Sequence, residues 1–406
     1  MRATFLTISV LLATIRCSMA NADEFVTSYW YGPPPDQTNF QRYQEIKDAN
    51  FNVVFPPALG NAAPEVNHRI LDYCQKLGMK AVISDARIPL ALSSPDAKKN
   101  LDAMVADYKH HPALLAYYIT DEPSAAAFPA LAEVVAYLKQ IDPAHPGYIN
   151  LFPTYAAPGA QLGTDTYTEY VDRFVTTVNP FVISYDHYAL IQSGDRPDFF
   201  ENLAVIRNAA IKSNRPFWNI VLVTQHFDYR HLTEPELRYQ AMQSLAFGAR
   251  GILWYTYWYP GPSNPAVAHA IINHDGTRNP HYDMIKQINA DARAIGNELL
   301  HARCWATYHA GEPVLLKPPQ QQSPIEVTGP GVLTIGVFTH TDNVHKLALI
   351  ANRDYRHAIQ TRVHVLSGNA MIEHFDPMQR AWSEAKHADP LTLDIPAGDG
   401  ALIRWK

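Results

Sequence analysis

The chain's 406 residues allow one large domain and a smaller one, and a hydrophobic fraction of 47% calls for a packed core rather than disorder. A net charge of −6 with no basic block argues against nucleic acid or an anionic membrane as partner. Twenty-two Tyr and seven Trp supply flat amphipathic faces that suit sugar rings, although most aromatics in a folded chain are core.

The N-terminus reads as a signal peptide. Arg2 supplies the charge, "FLTISVLLATI" the apolar segment, and Ala20-Asn21-Ala22 the small-residue cleavage pattern. Cleavage before Asp23 removes residues 1–22 and leaves an exported chain, secreted or periplasmic. A lipoprotein reading at Cys17 is weaker, because Arg16 sits where a small residue is wanted. No later apolar run is long enough to span a bilayer. Cys74 lies in the helical pattern "HRILDYCQKLG" and reads as a buried thiol; a disulfide to Cys304 stays open. Nothing in the pattern speaks to oligomeric state.

From Phe25 to about residue 300, short apolar runs alternate with amphipathic segments, the signature of parallel βα units. "FVTSYWYG" is the first strand, ended by Pro33-Pro34-Pro35, and "NFQRYQEIKDAN" is its helix. "FNVVFPP" and the Cys74 helix follow, then "MKAVISDAR" with "KKNLDAMVADYKHH", then "LLAYYITDEP" with a helix over 125–140. "PGYINLFPTYA", "FVISYDHYAL", "PFWNIVLVTQ" and "GILWYTYW" give strands five to eight, each with a helical segment after it. Eight such pairs predict an α/β fold, a (β/α)8 TIM barrel over residues 23–303. A doubly wound open sheet is the alternative. It calls for a Gly-rich phosphate turn after the first strand, where this chain has three prolines. After Cys304 the period falls to two, in "GVLTIGVFTH", "HKLALIANRD", "TRVHVLSG", "AMIEHFD" and "LTLDIPAGDGALIRWK". Residues 304–406 therefore read as a C-terminal antiparallel β-sandwich.

In such a barrel the strand C-termini carry the chemistry. Here they collect Trp30 and Tyr31, Asp85 and Arg87, Asp121 and Glu122, and Asn150. They also collect Tyr185, Asp186, His187 and Tyr188, then Gln225 and His226, then Trp254, Tyr255, Tyr257 and Trp258. Carboxylates and aromatics on one rim are what a saccharide-cleaving cleft needs. The structural alternative is plainer. Asp121 and Glu122 before a helix can act as its cap, Asp85 can pair with Arg87, and Asp186 can accept backbone N–H groups.

"YYITDEP" resembles the fourth-strand motif of the clan A barrel glycoside hydrolases, the β-galactosidase and cellulase type, where an Asn-Glu-Pro-like pattern carries the acid/base glutamate. The resemblance puts that role on Glu122, with Asp121 where Asn usually stands. "LRYQAMQSLAFGARGILWYTYW" is similar to the seventh helix and eighth strand of those barrels, which end in a Trp-rich sugar platform. The likeness stops at strand seven. The family places a nucleophilic glutamate there, and "NIVLVTQHFDYR" offers Gln225 instead. Asp186 is then the second carboxylate. The Tyr-Asp pair on strand six is also similar to chitinase-type barrels, although their strand-four acids are spaced rather than adjacent.

The expectation is an exported glycoside hydrolase acting on an oligo- or polysaccharide, with no cofactor. Glu122 is the general acid, Asp186 the second carboxylate, and Asp121 holds its carboxyl beside Glu122 or contacts a sugar hydroxyl. Substrate contacts are expected from Trp30, Tyr31, Asp85, Arg87, Asn150, Tyr185, His187, Tyr188, Gln225, Trp254 and Trp258. Adjacent strand residues point to opposite faces, so Asp121 and Glu122 share a pocket only if the backbone breaks there. One strand between Glu122 and Asp186 implies a gap near the inverting range of about 6.5–9.5 Å. The rival readings are a non-catalytic carbohydrate-binding barrel and a metal-dependent hydrolase. Asp85, Asp186, His187 and His226 are suitable metal ligand types, but no HExxH occurs, and no metal site is assigned.

Overall fold

The computed structural model describes residues 24–57, 62–259, 267–317, 323–366, 370–384 and 390–406. The expected signal peptide lies outside them. The first part is a parallel barrel of β1 (Val26–Tyr29), β2 (Val53–Val54), β3 (Lys80–Ile83), β4 (Leu114–Asp121), β5 (Gly147–Leu151), β6 (Ile183–Asp186), β7 (Phe217–Leu222) and β8 (Gly251–Tyr255). Each strand pairs with its neighbours in chain order, and β1 pairs with β8. Asn52 N donates to Thr27 O at 3.1 Å and Gly32 bridges Pro57, which joins β1 to β2 and closes the ring.

The outer layer is α1 (Phe40–Asp48), α2 (Pro64–Leu77), α3 (Ala97–Tyr108), α4 (Phe128–Ile141), α5 (Tyr167–Val178), α6 (Phe199–Ser213), α7 (Glu234–Ala246) and α8 (His281–Leu300). Local chemistry sets the ends. Gly78 closes α2 in the left-handed conformation, and a capping box between Thr233 and Glu236 opens α7. The expected helix after β4 begins with a short 3-10 turn, and α4 proper starts at Phe128.

Helix α7 has no exposed face beyond its first residues. Every residue from Glu236 to Ala246 is buried, because the barrel lies on one side and the C-terminal unit on the other. That unit is two antiparallel sheets, of six and three strands. Its first strand, Ala302–Ala310, starts just before Cys304, and Ile325–Thr328 adds a strand that period-two reading missed. The last expected strand divides at Pro396 into Leu391–Ile395 and Gly400–Trp405. Docking is tight. A Cβ on Gly336 would stand 2.1 Å from Ala246 O, and Thr307 Oγ1 donates to that same carbonyl at 3.1 Å. Cys74 and Cys304 are both buried and unbridged.

Candidate active site

The C-terminal ends of β4, β5 and β6 bring Asp121, Glu122, Asn150 and Asp186 together. A register shift in the β4–β5 pairing between Tyr118 and Thr120 inserts one residue and reverses the parity beyond it. Before the shift Tyr118 faces inward to Tyr148, while Ile119 meets Leu138 of α4 behind Gly147. After it Asp121 faces inward. Glu122 then takes φ 47°, in the left-handed region, while its N–H still bonds Asn150 O at 2.9 Å. The backbone break expected between the two acids is therefore a bulge followed by a left-handed residue.

Asn150 is the bridge. Its Nδ2 donates to Asp121 Oδ1 at 3.0 Å and to Asp186 Oδ1 at 2.9 Å. Ser184 Oγ donates to Asn150 Oδ1 at 3.1 Å, and Tyr148 OH lies 2.6 Å from Ser184 Oγ. Ser184 thus fixes which end of the amide faces the acids.

The Glu122 and Asp186 carboxyls meet within hydrogen-bonding reach of each other. This corrects the expected gap of an inverting pair. The one intervening side chain, Asn150, is short and bonds both aspartates, and it leaves Glu122 and Asp186 in contact. Hydrogen-bonded carboxyls are closer than either the inverting spacing or the retaining spacing of about 5–5.5 Å.

All three carboxyls are shifted upward. Burial raises Asp186 well above the carboxylate range, and the charges of Glu122 and Asp121 add to it. Burial and then the Asp121 charge push Glu122 up to about 7, opposed by its contact with Asp186. Burial pushes Asp121 up to about 6 against the Asn150 hydrogen bond. By surface area Asp121 is nonetheless exposed, while Asp186 is buried. The exposure of Asp121 keeps its shift smaller than a sealed group's.

The wall of the recess is tyrosine. Burial raises Tyr31, Tyr118, Tyr155, Tyr188 and Tyr255, and the carboxylates add to each, which places all five rings near the acids. Tyr188 and Tyr255 pack at 5.2 Å and Tyr31 and Tyr255 at 6.1 Å. His226 closes this side against Tyr229 and Tyr255, its Nδ1 held 2.8 Å from Thr224 O. Trp30 forms the floor, against Tyr118 and Tyr148.

Other expected contacts lie elsewhere. Trp254 is fully buried and its indole donates to Asn289 Oδ1 of α8 at 2.9 Å, so it is core and not a sugar platform. Trp258 is buried beneath the Arg42 guanidinium, 5.2 Å from its ring centre. Asp85 is buried and committed: Arg87 Nη2 donates to it at 2.7 Å and Tyr108 OH at 2.8 Å, while Arg87 also holds Asp107. Tyr185 points outward to Tyr167 of α5, as the alternation of β6 requires. His187 also points outward. Its Nε2 is 3.3 Å from Asp198 Oδ1, near enough for attraction but misaligned for a hydrogen bond, and burial lowers its pKa. Gln225 is half-buried and its backbone pairs with Ala268.

No β7 carboxylate joins the cluster among the described residues. Asp228 is exposed 3.7 Å from Arg196, and Glu234 pairs with Arg238 at the start of α7. Nor do the acids meet a histidine as metal ligands would. Among the described residues the ligand atoms of His340, Asp342 and His345 come within 4.8 Å of one another, on a turn of the C-terminal unit. Sequence reading missed Tyr118, Tyr155 and Ser184. Strict alternation back from Asp121 would turn Tyr118 outward, and only the register shift lets both face inward; Tyr155 sits in a loop.

No family model and no curated protein matches the sequence. Solved structures do match the fold. A glycoside hydrolase family 5 protein from Bacteroides vulgatus superposes with a TM-score of 0.59 at 12% identity, covering 94% of this chain and 89% of that one. Gan42B, a GH42 beta-galactosidase from G. stearothermophilus, gives 0.59 at 8% identity over 95% and 99%. A putative alpha-galactosidase/melibiase from Bacteroides fragilis gives 0.54 at 10% over 95% and 79%. The fold is that of barrel glycoside hydrolases.

Proposed function

We propose that this chain is an exported glycoside hydrolase acting on an oligo- or polysaccharide, with Glu122 as the proton donor. The observation that carries the reading is the meeting of Glu122 with Asp186 beside a solvent-exposed Asp121, with Asn150 bridging the two aspartates. Environments that push neighbouring carboxyls apart in pKa assign acid and base. Near pH 6.5 Glu122 keeps a proton while Asp121 is ionised. Glu122 delivers its proton to the glycosidic oxygen as the bond to the anomeric carbon breaks. Water, losing a proton to Asp121, then bonds to that carbon.

Asp186 changes role in this scheme. Buried and bonded by Asn150, it keeps its own proton and stands as a neutral neighbour of Glu122. The tyrosine wall supports sugar stacking. The likeness in fold to glycoside hydrolases supports the reaction class.

A second reading, a non-catalytic carbohydrate-binding barrel, is favoured by the loss of any carboxylate on β7. One experiment separates the two. Purified protein is screened against plant, algal and microbial polysaccharides for released reducing sugar, with Glu122→Gln run in parallel. Binding without release by the wild type selects the second reading. Export has its own test. N-terminal sequencing of protein from the periplasm or medium is expected to start at Asp23, and an intact Met1 there contradicts it.

A further inference from the structure

At the opposite end of the barrel the structure holds a second recess with another chemistry. It is a cavity of about 570 Å³ lined by Arg207, Arg215, Arg250 and Arg303, with Trp218 and Cys304 also in its wall. The four arginines come from four places: α6, the α6–β7 connection, the α7–β8 connection and the first strand of the C-terminal unit. No Asp or Glu lines the cavity, and none of the four guanidiniums has an ion pair among the described residues. Buried or half-buried arginines such as Arg87, Arg230, Arg238 and Arg404 are by contrast paired with carboxylates.

The hydrogen-bond accounting is also incomplete. Arg250 is used internally, donating to Leu299 O and to Ala302 O at the end of α8. Arg207 Nε reaches the Cys304 sulfur at 3.5 Å, a weak acceptor, and its Nη2 is buried without a partner. Arg215 holds Asn179 with one nitrogen while its Nε is buried and unpartnered. Arg303 is exposed at the rim. Buried donors on charged groups are rarely left unmade, and planar guanidiniums suit oxyanions in a bidentate grip.

We propose that this cavity binds a multiply charged oxyanion, the phosphate or sulfate group of a small ligand, between Arg207, Arg215 and Arg303. The anion would neutralise a cationic seam where the barrel meets the C-terminal unit, joining α6 to that unit's first strand. Its site begins where β7 starts, at the strand end away from Asp121 and Glu122. A six-residue strand spans roughly 20 Å, so the bound anion does not touch the acids.

The test uses the full mature chain and titration calorimetry with pyrophosphate, inorganic phosphate and sulfate, each against chloride at equal ionic strength. Saturable one-site binding is expected for at least one oxyanion, with a rise in Tm. Arg207→Gln and the exposed Arg303→Gln should each weaken it by roughly tenfold or more, the loss of a charge-assisted hydrogen bond. Glu122→Gln should leave the affinity unchanged. Tighter phosphate assigns a phosphorylated ligand and tighter sulfate a sulfated one. Absence of saturable binding to all three overturns the proposal, as does unchanged affinity in both folded arginine variants or loss of affinity in Glu122→Gln.

Discussion

The carboxyls of Glu122 and Asp186, carried by the ends of β4 and β6, meet within hydrogen-bonding reach at the mouth of the barrel. Neither could ionise freely here, since burial and the other's charge both oppose it. The pair therefore titrates as a unit, and Asp121, open to the cleft, ionises first.

A narrow pH optimum follows. Activity should rise as Asp121 loses its proton near pH 6 and fall as the Glu122–Asp186 pair loses its own near pH 7. Asp121→Asn removes the charge that raises Glu122, so the falling limb should move to lower pH while the overall rate drops. A pH–kcat/KM profile of both proteins checks this, and an unmoved limb counts against it.

The same shifts destabilise the fold at alkaline pH. A carboxyl whose folded pKa is raised contributes stability below its unfolded pKa of about 4, and that contribution is lost as pH rises through about 6 and 7. Glu122→Gln should therefore raise Tm at pH 8 and leave it nearly unchanged at pH 4. Thermal scans at the two pH values read the sign directly.

Asn150→Ala removes the donor that lowers both aspartates. The rising limb of the pH profile should shift upward. Stability should fall by about 1–3 kcal/mol, since the bridge and the Ser184 hydroxyl lose partners. Urea unfolding and the pH profile measure the two effects separately.

Trp254 and Tyr255 are neighbours with opposite jobs. Trp254→Phe leaves Asn289 Oδ1 without its indole donor and should cost about 1–3 kcal/mol of stability with KM unchanged. Tyr255→Ala takes a ring from the cleft wall and should raise KM by roughly threefold to tenfold, the ~1 kcal/mol of a lost apolar contact. If instead Trp254→Phe raises KM selectively, the platform expected from sequence is restored.

How much of this was legible is clear from particular residues. The barrel was, because eight period changes and their turn residues are local signals, and so was the gathering of Asp121, Glu122, Asn150 and Asp186 at neighbouring strand ends. The contact between Glu122 and Asp186 was not. It depends on a one-residue shift against β5 and on a left-handed Glu122, neither of which has a side-chain pattern. The Trp254 platform failed for a related reason. Parity along β8 gives two faces but not which one meets α8, and Asn289, thirty-five positions away, decides that. The arginines of the second cavity carry no sequence signal, since only the fold gathers them.

The central claim is that Glu122 protonates the leaving group, and the most direct measurement is the rate of Glu122→Gln on two substrates. The amide keeps the shape but has no proton to give. Turnover of a natural glycan should fall by roughly 10²–10⁴-fold, and turnover of an activated aryl glycoside, whose leaving group needs little protonation, should fall far less. Equal loss on both substrates, or normal turnover of the natural glycan, would contradict the assignment of Glu122 as the acid.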